Sequence, residues 1–430
     1  MSLMKNIKYS LTGLLVAGLL GCGGDSGNEG IYNVLPYDSA AHPNLFCAVA
    51  IDAADQQCTL AELPLIGMET GNPTTKDIRK RLLVSHVWMG DRFMRVLDKM
   101  PDDTKLLLRG ITAIVIDDDI RPSFYTSATG AIYIDPDYLW LTQAEKDTIS
   151  KEEDYRSDFA SELNFVSLWR YLTPEGLWAR APSAGRELND LIFPIARLFY
   201  HELAHANDFL PPDSYDKLDR DLYVYLAAAK LKAGPVSERL QNFSPLQSDT
   251  MKGLARVMFR GKAASSEQIA LSAETVGLFF SVDVASDDYA YVPYGGGVYF
   301  EDTAMLFEEL MLKYHYDLDR EIAFTTFTGS DPAYCGNYSI GWGQKGRLGD
   351  VFVKERARFV LARLLPEIDL NVFIDALDTP LQSTVGTDWC EPFRIEEALL
   401  AEPKAKDSFN ISNESFEGID VRANRLTPHD

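Results

Sequence analysis

The stretch Tyr200-His201-Glu202-Leu203-Ala204-His205-Ala206-Asn207-Asp208 constrains this chain more than any other. It lies in a segment whose apolar residues recur at helical spacing, which predicts a helix over 187–210, interrupted by Pro194. Positions i and i+4 share a helix face, so His201 and His205 direct two imidazoles at one point. Glu202 sits one position round, where its carboxylate reaches a water at that point without being a ligand. Only six histidines occur in 430 residues, so two of them in an H-E-x-x-H pattern argue against chance. The arrangement suits zinc-dependent hydrolysis of an amide bond. A catalytic zinc takes three protein ligands and leaves a fourth position for water, so one more donor must come from elsewhere.

A second predicted helix, over 300–316, offers it: Phe300-Glu301-Asp302-Thr303-Ala304-Met305-Leu306-Phe307-Glu308-Glu309. H-E-x-x-H-x-x-D followed by E-D-x-A-x-x-F resembles the gluzincin metallopeptidases. Within them it is similar to those whose zinc-binding region is like the anthrax lethal factor protease domain. The resemblance covers residues 187–316. It implies a mostly helical, zincin-like α+β fold with a small mixed sheet beside the H-E-x-x-H helix. It further implies Zn2+ held by His201, His205 and Glu301, with Glu202 as general base. Related enzymes often place an oxyanion-binding tyrosine shortly before the third ligand. Tyr294 and Tyr299 occupy that region, and Tyr294 is preferred because Gly295-Gly296-Gly297 lets its loop fold over the cleft. The family commonly carries another acid four residues after the ligand glutamate, where this chain has Met305. Asp302 or Glu308 is then left to hydrogen-bond the site from outside. Glu274, Glu308 and Asp208 are the rival third ligands. Asp208, about 60° round the helix from His205, reads better as an outer partner of the site. Glu309 reads as a solvated helix face.

The chain opens with Lys5 and Lys8, an apolar run from Leu11 to Leu20, then Gly21-Cys22. A basic head and about ten apolar residues make an export signal over 1–21, too short to span a bilayer. Leu19-Leu20-Gly21-Cys22 resembles the bacterial lipobox, which implies lipidation of Cys22. Residues 22–30 form a Gly-rich tether. By resemblance to Gram-negative lipoproteins, Gly23 after the cysteine implies the outer membrane. The formal charge is −23 and becomes more negative once Lys5 and Lys8 leave with the signal. Such acidity argues against nucleic acid and against adsorption to anionic lipid. Peptide or protein is the expected substrate, and the lipid holds the chain to the membrane. Four cysteines remain after Cys22, and nearest neighbours pair best as Cys47–Cys58 and Cys335–Cys390. No pair of them has thiolate zinc-site spacing.

Residues 31–400 read as the metallopeptidase-like region, with a sheet-containing lobe to about 210 and a helical lobe beyond. A polar tail follows over 401–430. Helical patterns cover 75–100, 222–232, 265–280 and 353–365. Ile111–Ile116, Ala131–Ile134 and Ile322–Phe327 are β-rich, and Ala131–Ile134 reads as an edge strand open to an extended peptide. Gly341-Trp342-Gly343-Gln344-Lys345-Gly346-Arg347 reads as a structural turn, since it lacks phosphate-loop spacing. His86, His315 and His429 fall away from the motif. Two rival functions fit the same sequence: a non-catalytic surface or periplasmic lipoprotein on a zincin scaffold, and a zinc amidase acting on cell-wall peptide. The intact Glu202 weighs against the first, because a binding scaffold has no chemical use for it.

Overall fold

A computed structural model describes residues 33–51, 56–152, 159–294, 297–330, 332 and 334–390. The export signal, Cys22, the tether and the 401–430 tail lie outside the described residues. The chain is α+β, with helices arranged around two small sheets.

The first sheet contains β1 (Leu35–Pro36), β2 (Leu82–Val84), β3 (Ile114–Ile116), β4 (Phe124–Thr126) and β5 (Ala131–Ile134), in the order β1-β2-β3-β5-β4. The three inner strands run parallel, while β1 and β4 pair antiparallel at the two edges. β2, β3 and β5 are buried throughout. Strands buried on both faces are continuous apolar runs without alternation. That explains a difference from the sequence reading, where 75–100 was one helix. A short helix Thr75–Arg79 opens on a capping box between Thr74 and Asp77, β2 follows, and helix Val87–Leu97 comes after it. Leu82, Leu83 and Val84 fit helical spacing locally, but parallel pairing with β3 claims them. β5 is also not an edge: it lies between β3 and β4, and β4 ends the sheet.

The second sheet is antiparallel and joins distant parts of the chain. β6 (Val166–Leu172), β7 (Asp319–Phe327), β8 (Tyr338–Lys345) and β9 (Leu381–Gln382) pair in sequence order. Because β6 pairs along its whole length with β7, residues before 210 and after 319 share one sheet. The expected division into a sheet lobe and a helical lobe therefore does not hold. The glycine-rich 341–347 segment is mostly strand β8, and only Gly346, at a φ of 69°, turns the chain.

Two helices form the centre. The first, Ile192–Phe209, is buried from Phe193 to Asp208. Pro194 stands in its first turn, where a missing N–H removes no intrahelical bond. Pro211-Pro212 ends it. The second, Phe300–Tyr316, is buried from Phe300 to Leu312 and stops at Asp317, whose φ is 53°. The two pack together, with Tyr200 edge-on to Phe307. Outer helices are trimmed by their caps. The 265–280 pattern splits into Ser266–Ile269 and Ala273–Ser281, because the Ser272 hydroxyl accepts the Thr275 N–H. The 222–232 pattern shortens to Val224–Ala229, and Val351–Leu364 starts on the Asp350 cap.

Cys47 and Cys58, and Cys335 and Cys390, are joined as disulfides with Cα separations of 5.5 and 5.3 Å. Among the described residues, no helix is long and apolar enough to cross a membrane.

Helix Ala273–Ser281 lies on β8 so closely that a Cβ at Gly277 would overlap Cβ and Cγ of Trp342. The Trp342 Cβ is fixed by the strand and cannot rotate aside. The overpacking cost of about 1–3 kcal/mol exceeds the helix-propensity gain of about 1 kcal/mol. Gly277→Ala is therefore expected to lower the thermal midpoint, and an unchanged or raised midpoint would show that helix and strand have room to separate.

Candidate metal centre

The first turn of the 300–316 helix brings Glu301 against the face of the 192–209 helix that carries His201 and His205. Glu301 is 0% exposed, His201 1% and His205 5%. The Glu301 Oε2 lies 3.0 Å from Nε2 of His201 and 3.2 Å from Nε2 of His205, and the two Nε2 atoms are 3.2 Å apart. Among the described residues this is the group of donors that could hold a metal ion.

The surroundings polarise each member. Burial alone would raise the Glu301 carboxyl, but the facing imidazoles outweigh it and hold the group well below the usual carboxylate range. Burial opposes charge on His201, yet hydrogen bonds to Glu301 and Glu308 push its pKa up to about 9. Tyr294, half-buried, donates its hydroxyl to the second oxygen of Glu301. Glu202 is buried beside this group, and burial raises its carboxyl. Its Oε2 accepts the backbone N–H of Tyr125 on edge strand β4 at 2.9 Å, which fixes the carboxylate relative to the sheet.

Two acids expected to support the site from outside find their hydrogen-bond partners elsewhere. Asp302 forms a two-pronged ion pair with Arg356, one arm 2.8 Å long, on another face of the helix from Glu301. Successive helical residues diverge by about 100°, so both cannot face the histidines. Asp208 accepts the Ser237 N–H at 2.7 Å and bonds neither histidine among the described residues. Burial pushes its pKa up to about 6. The outer carboxylate is Glu308, whose Oε2 lies 3.1 Å from Nδ1 of His201. It follows Glu301 by two helical turns, so the seven-residue spacing was the signal that places it on the same face.

Of the other candidates, Glu274 is exposed on the 273–281 helix. Tyr299 is the residue before the 300–316 helix, with Lys252 over its ring. His86 bonds Ser85, His315 contacts Asp103 at 2.6 Å, and His429 lies outside the described residues. Glu309 is not solvated: it is 3% exposed, and burial pushes its pKa up to about 8 against the pull of Arg320. Sequence reasoning also passed over Tyr125, Tyr171 and Arg320, because their proximity depends on strand pairing across the chain.

No protein-family model, curated protein or solved structure matches the chain.

Two measurements follow from this geometry. His205→Ala and Glu301→Ala should each abolish stoichiometric retention of metal after dialysis, read by elemental analysis; full retention by either would remove that residue from the donor set. The second concerns Glu309, whose carboxyl titrates near 4.5 in the unfolded chain and near 8 in the fold. The folded state binds the extra proton between those values, so the stability Glu309 contributes below about 4.5 is lost as pH rises to about 8. Glu309→Gln should gain stability relative to the parent between pH 5 and pH 8, measured as urea midpoints; a constant difference across that range would contradict the burial argument.

Proposed function

We propose that this chain is a zinc-dependent metallopeptidase with a zincin-like fold. The observation that carries the reading is the triangle of donors with a carboxylate base beside it. Ligand atoms about 2.0–2.1 Å from a tetrahedral zinc lie about 3.3 Å from one another. The three donor atoms here are separated by 3.0, 3.2 and 3.2 Å, and two imidazoles with one carboxylate match zinc's ligand preference once His201 gives up its proton to the ion. When bound, zinc supplies Lewis acidity towards a carbonyl oxygen and lowers the pKa of water.

The rest is the work of side chains. His201, His205 and Glu301 hold the ion, and Glu308 fixes the ring of His201. Glu202 accepts a proton from the attacking water and passes it to the leaving amine. Its raised pKa suits both directions of that transfer. Tyr294, whose hydroxyl donates to Glu301 in the resting site, would turn that single donor to the carbonyl oxygen as negative charge develops there. An extended peptide would lie along β4, the sheet edge nearest Glu202, rather than along β5. The lipobox-like Cys22 anchors the enzyme to the outer membrane of a Gram-negative envelope.

The test is digestion of a peptide library by the zinc-loaded protein. Cleavage should stop with chelator and return with zinc. Glu202→Gln keeps an acceptor for the Tyr125 N–H, so it should retain zinc while losing about 10²–10⁴-fold in turnover. A zinc-loaded parent that cuts nothing in the library, or equal turnover by Glu202→Gln, would end the peptidase reading.

A further inference from the structure

Outside the helices that carry the ligands, the second sheet reaches into the metal centre. Tyr171 on β6 donates its hydroxyl to Oε1 of Glu308 at 2.6 Å, while the other oxygen of Glu308 faces Nδ1 of His201. Arg320 on β7 places Nη1 at 3.8 Å from the same Oε1, and its Nε is tied to Asp287 at 2.6 Å. The strands set these two side chains together, because Tyr171 and Arg320 are direct partners in the β6–β7 register.

Each component is immobilised. The Tyr171 ring packs edge-on between Trp169 and Phe193, with centroids 6.2 and 5.8 Å away, and Phe193 belongs to the 192–209 helix itself. The guanidinium of Arg320 lies 4.3 Å from the Trp169 ring centre, and Arg197 approaches that ring at 5.2 Å. Tyr171 and Glu308 are both fully buried. Burial and the neighbouring carboxylates push the Tyr171 hydroxyl well above its ordinary pKa, so it remains a donor. A buried carboxylate with one oxygen on an imidazole has the other to satisfy, and the 2.6 Å hydrogen bond from Tyr171 does so at Oε1.

We propose that Tyr171 and Arg320 are positioning residues of the metal centre, acting through Glu308 to set the orientation of the His201 ring and hence the affinity for the ion. This rests on the zinc-site reading above. Outer hydrogen bonds to a ligating imidazole fix its tautomer and raise its basicity, and losing one commonly weakens metal binding 10–100-fold. The outer carboxylate stands seven residues beyond the ligand glutamate, where Met305 occupies the four-residue position, and it is braced by an antiparallel sheet rather than by its own helix.

The experiment is a double-mutant cycle on the full chain, read as zinc affinity by competition with a calibrated chelator. The visible spectrum of the Co2+-loaded protein reports ligand geometry in parallel. Glu308→Gln should bind zinc about 10–100-fold more weakly, and Tyr171→Phe about tenfold more weakly. Both should alter the Co2+ spectrum while apo-protein thermal midpoints show that each variant is folded. In the Glu308→Gln background, Tyr171→Phe should weaken binding little further, because the residue through which it acts has lost its charge. Arg320→Lys, which keeps the charge but not the fork, should fall between parent and Tyr171→Phe. If Glu308→Gln does not fold, Glu308→Asp takes its place with the same expectation. Parent-like affinity in Tyr171→Phe, or an equal loss with and without the Glu308 substitution, overturns the inference while leaving the zinc site intact. A parent chain that binds no zinc removes both.

Discussion

A carboxylate with no solvent exposure, set against two imidazoles, is the contact around which the molecule is organised. Leaving an ionised Glu301 buried without an opposite group would cost several kcal/mol, and desolvation is repaid only where geometry and hydrogen bonds are good. Here both oxygens are engaged, one by His201 and His205 and the other by Tyr294. The requirement fixes how the 192–209 and 300–316 helices cross, since only one face of each carries the participating groups. Their apolar residues then make the contact dry, with Leu203, Ala204, Ala304 and Phe307 all buried in the same core.

The 300–316 helix carries the heavier electrostatic load. In its buried stretch it holds four acids, and their counterparts come from the 192–209 helix, the second sheet and the 351–364 helix. Glu301 faces the histidines, Asp302 pairs with Arg356 of the 351–364 helix, Glu308 meets His201 and Tyr171, and Glu309 lies towards Arg320. Such a helix has no solvated side, so its charges serve as connectors. Removing the partner of an ionised acid such as Glu301 or Glu308 would leave an uncompensated charge in the interior, which is costlier than never having placed the pair there. The arrangement ties the second sheet, the 351–364 helix and the His201–His205–Glu301 group into one interdependent polar network.

Much of this was legible from local patterns. The His201–Glu202–His205 spacing is local, the 300–316 helix is bounded as its apolar period indicates, and Glu301 stands in its first turn, where the helix dipole also favours an acid. The failures share a physical origin. Leu82–Val84 was absorbed into a helix because a strand buried on both sides has no alternation to mark it. Val166–Leu172 was not read as a strand at all, since its partner β7 begins at Asp319. Glu309 looked solvated, and Asp302 looked available to the site, because the cations that claim them lie elsewhere in the sequence. Charged residues on a helix reveal their environment only through partners, and local composition does not name those partners.

The donor set also has a topological consequence. His205 and Glu301 are 96 positions apart, and between them run the helices Val224–Ala229, Val236–Phe243, Asp249–Met258 and Ala273–Ser281. An ion gripped at both ends would make this whole stretch a ring, a reversible crosslink much longer than the eleven-residue separation of Cys47 and Cys58. The entropy of closing such a ring grows only logarithmically with its length, about 0.6 kcal/mol per doubling. A random coil seldom gathers three donors so far apart, so an ion bound there would couple its occupancy to the folding of the intervening helices.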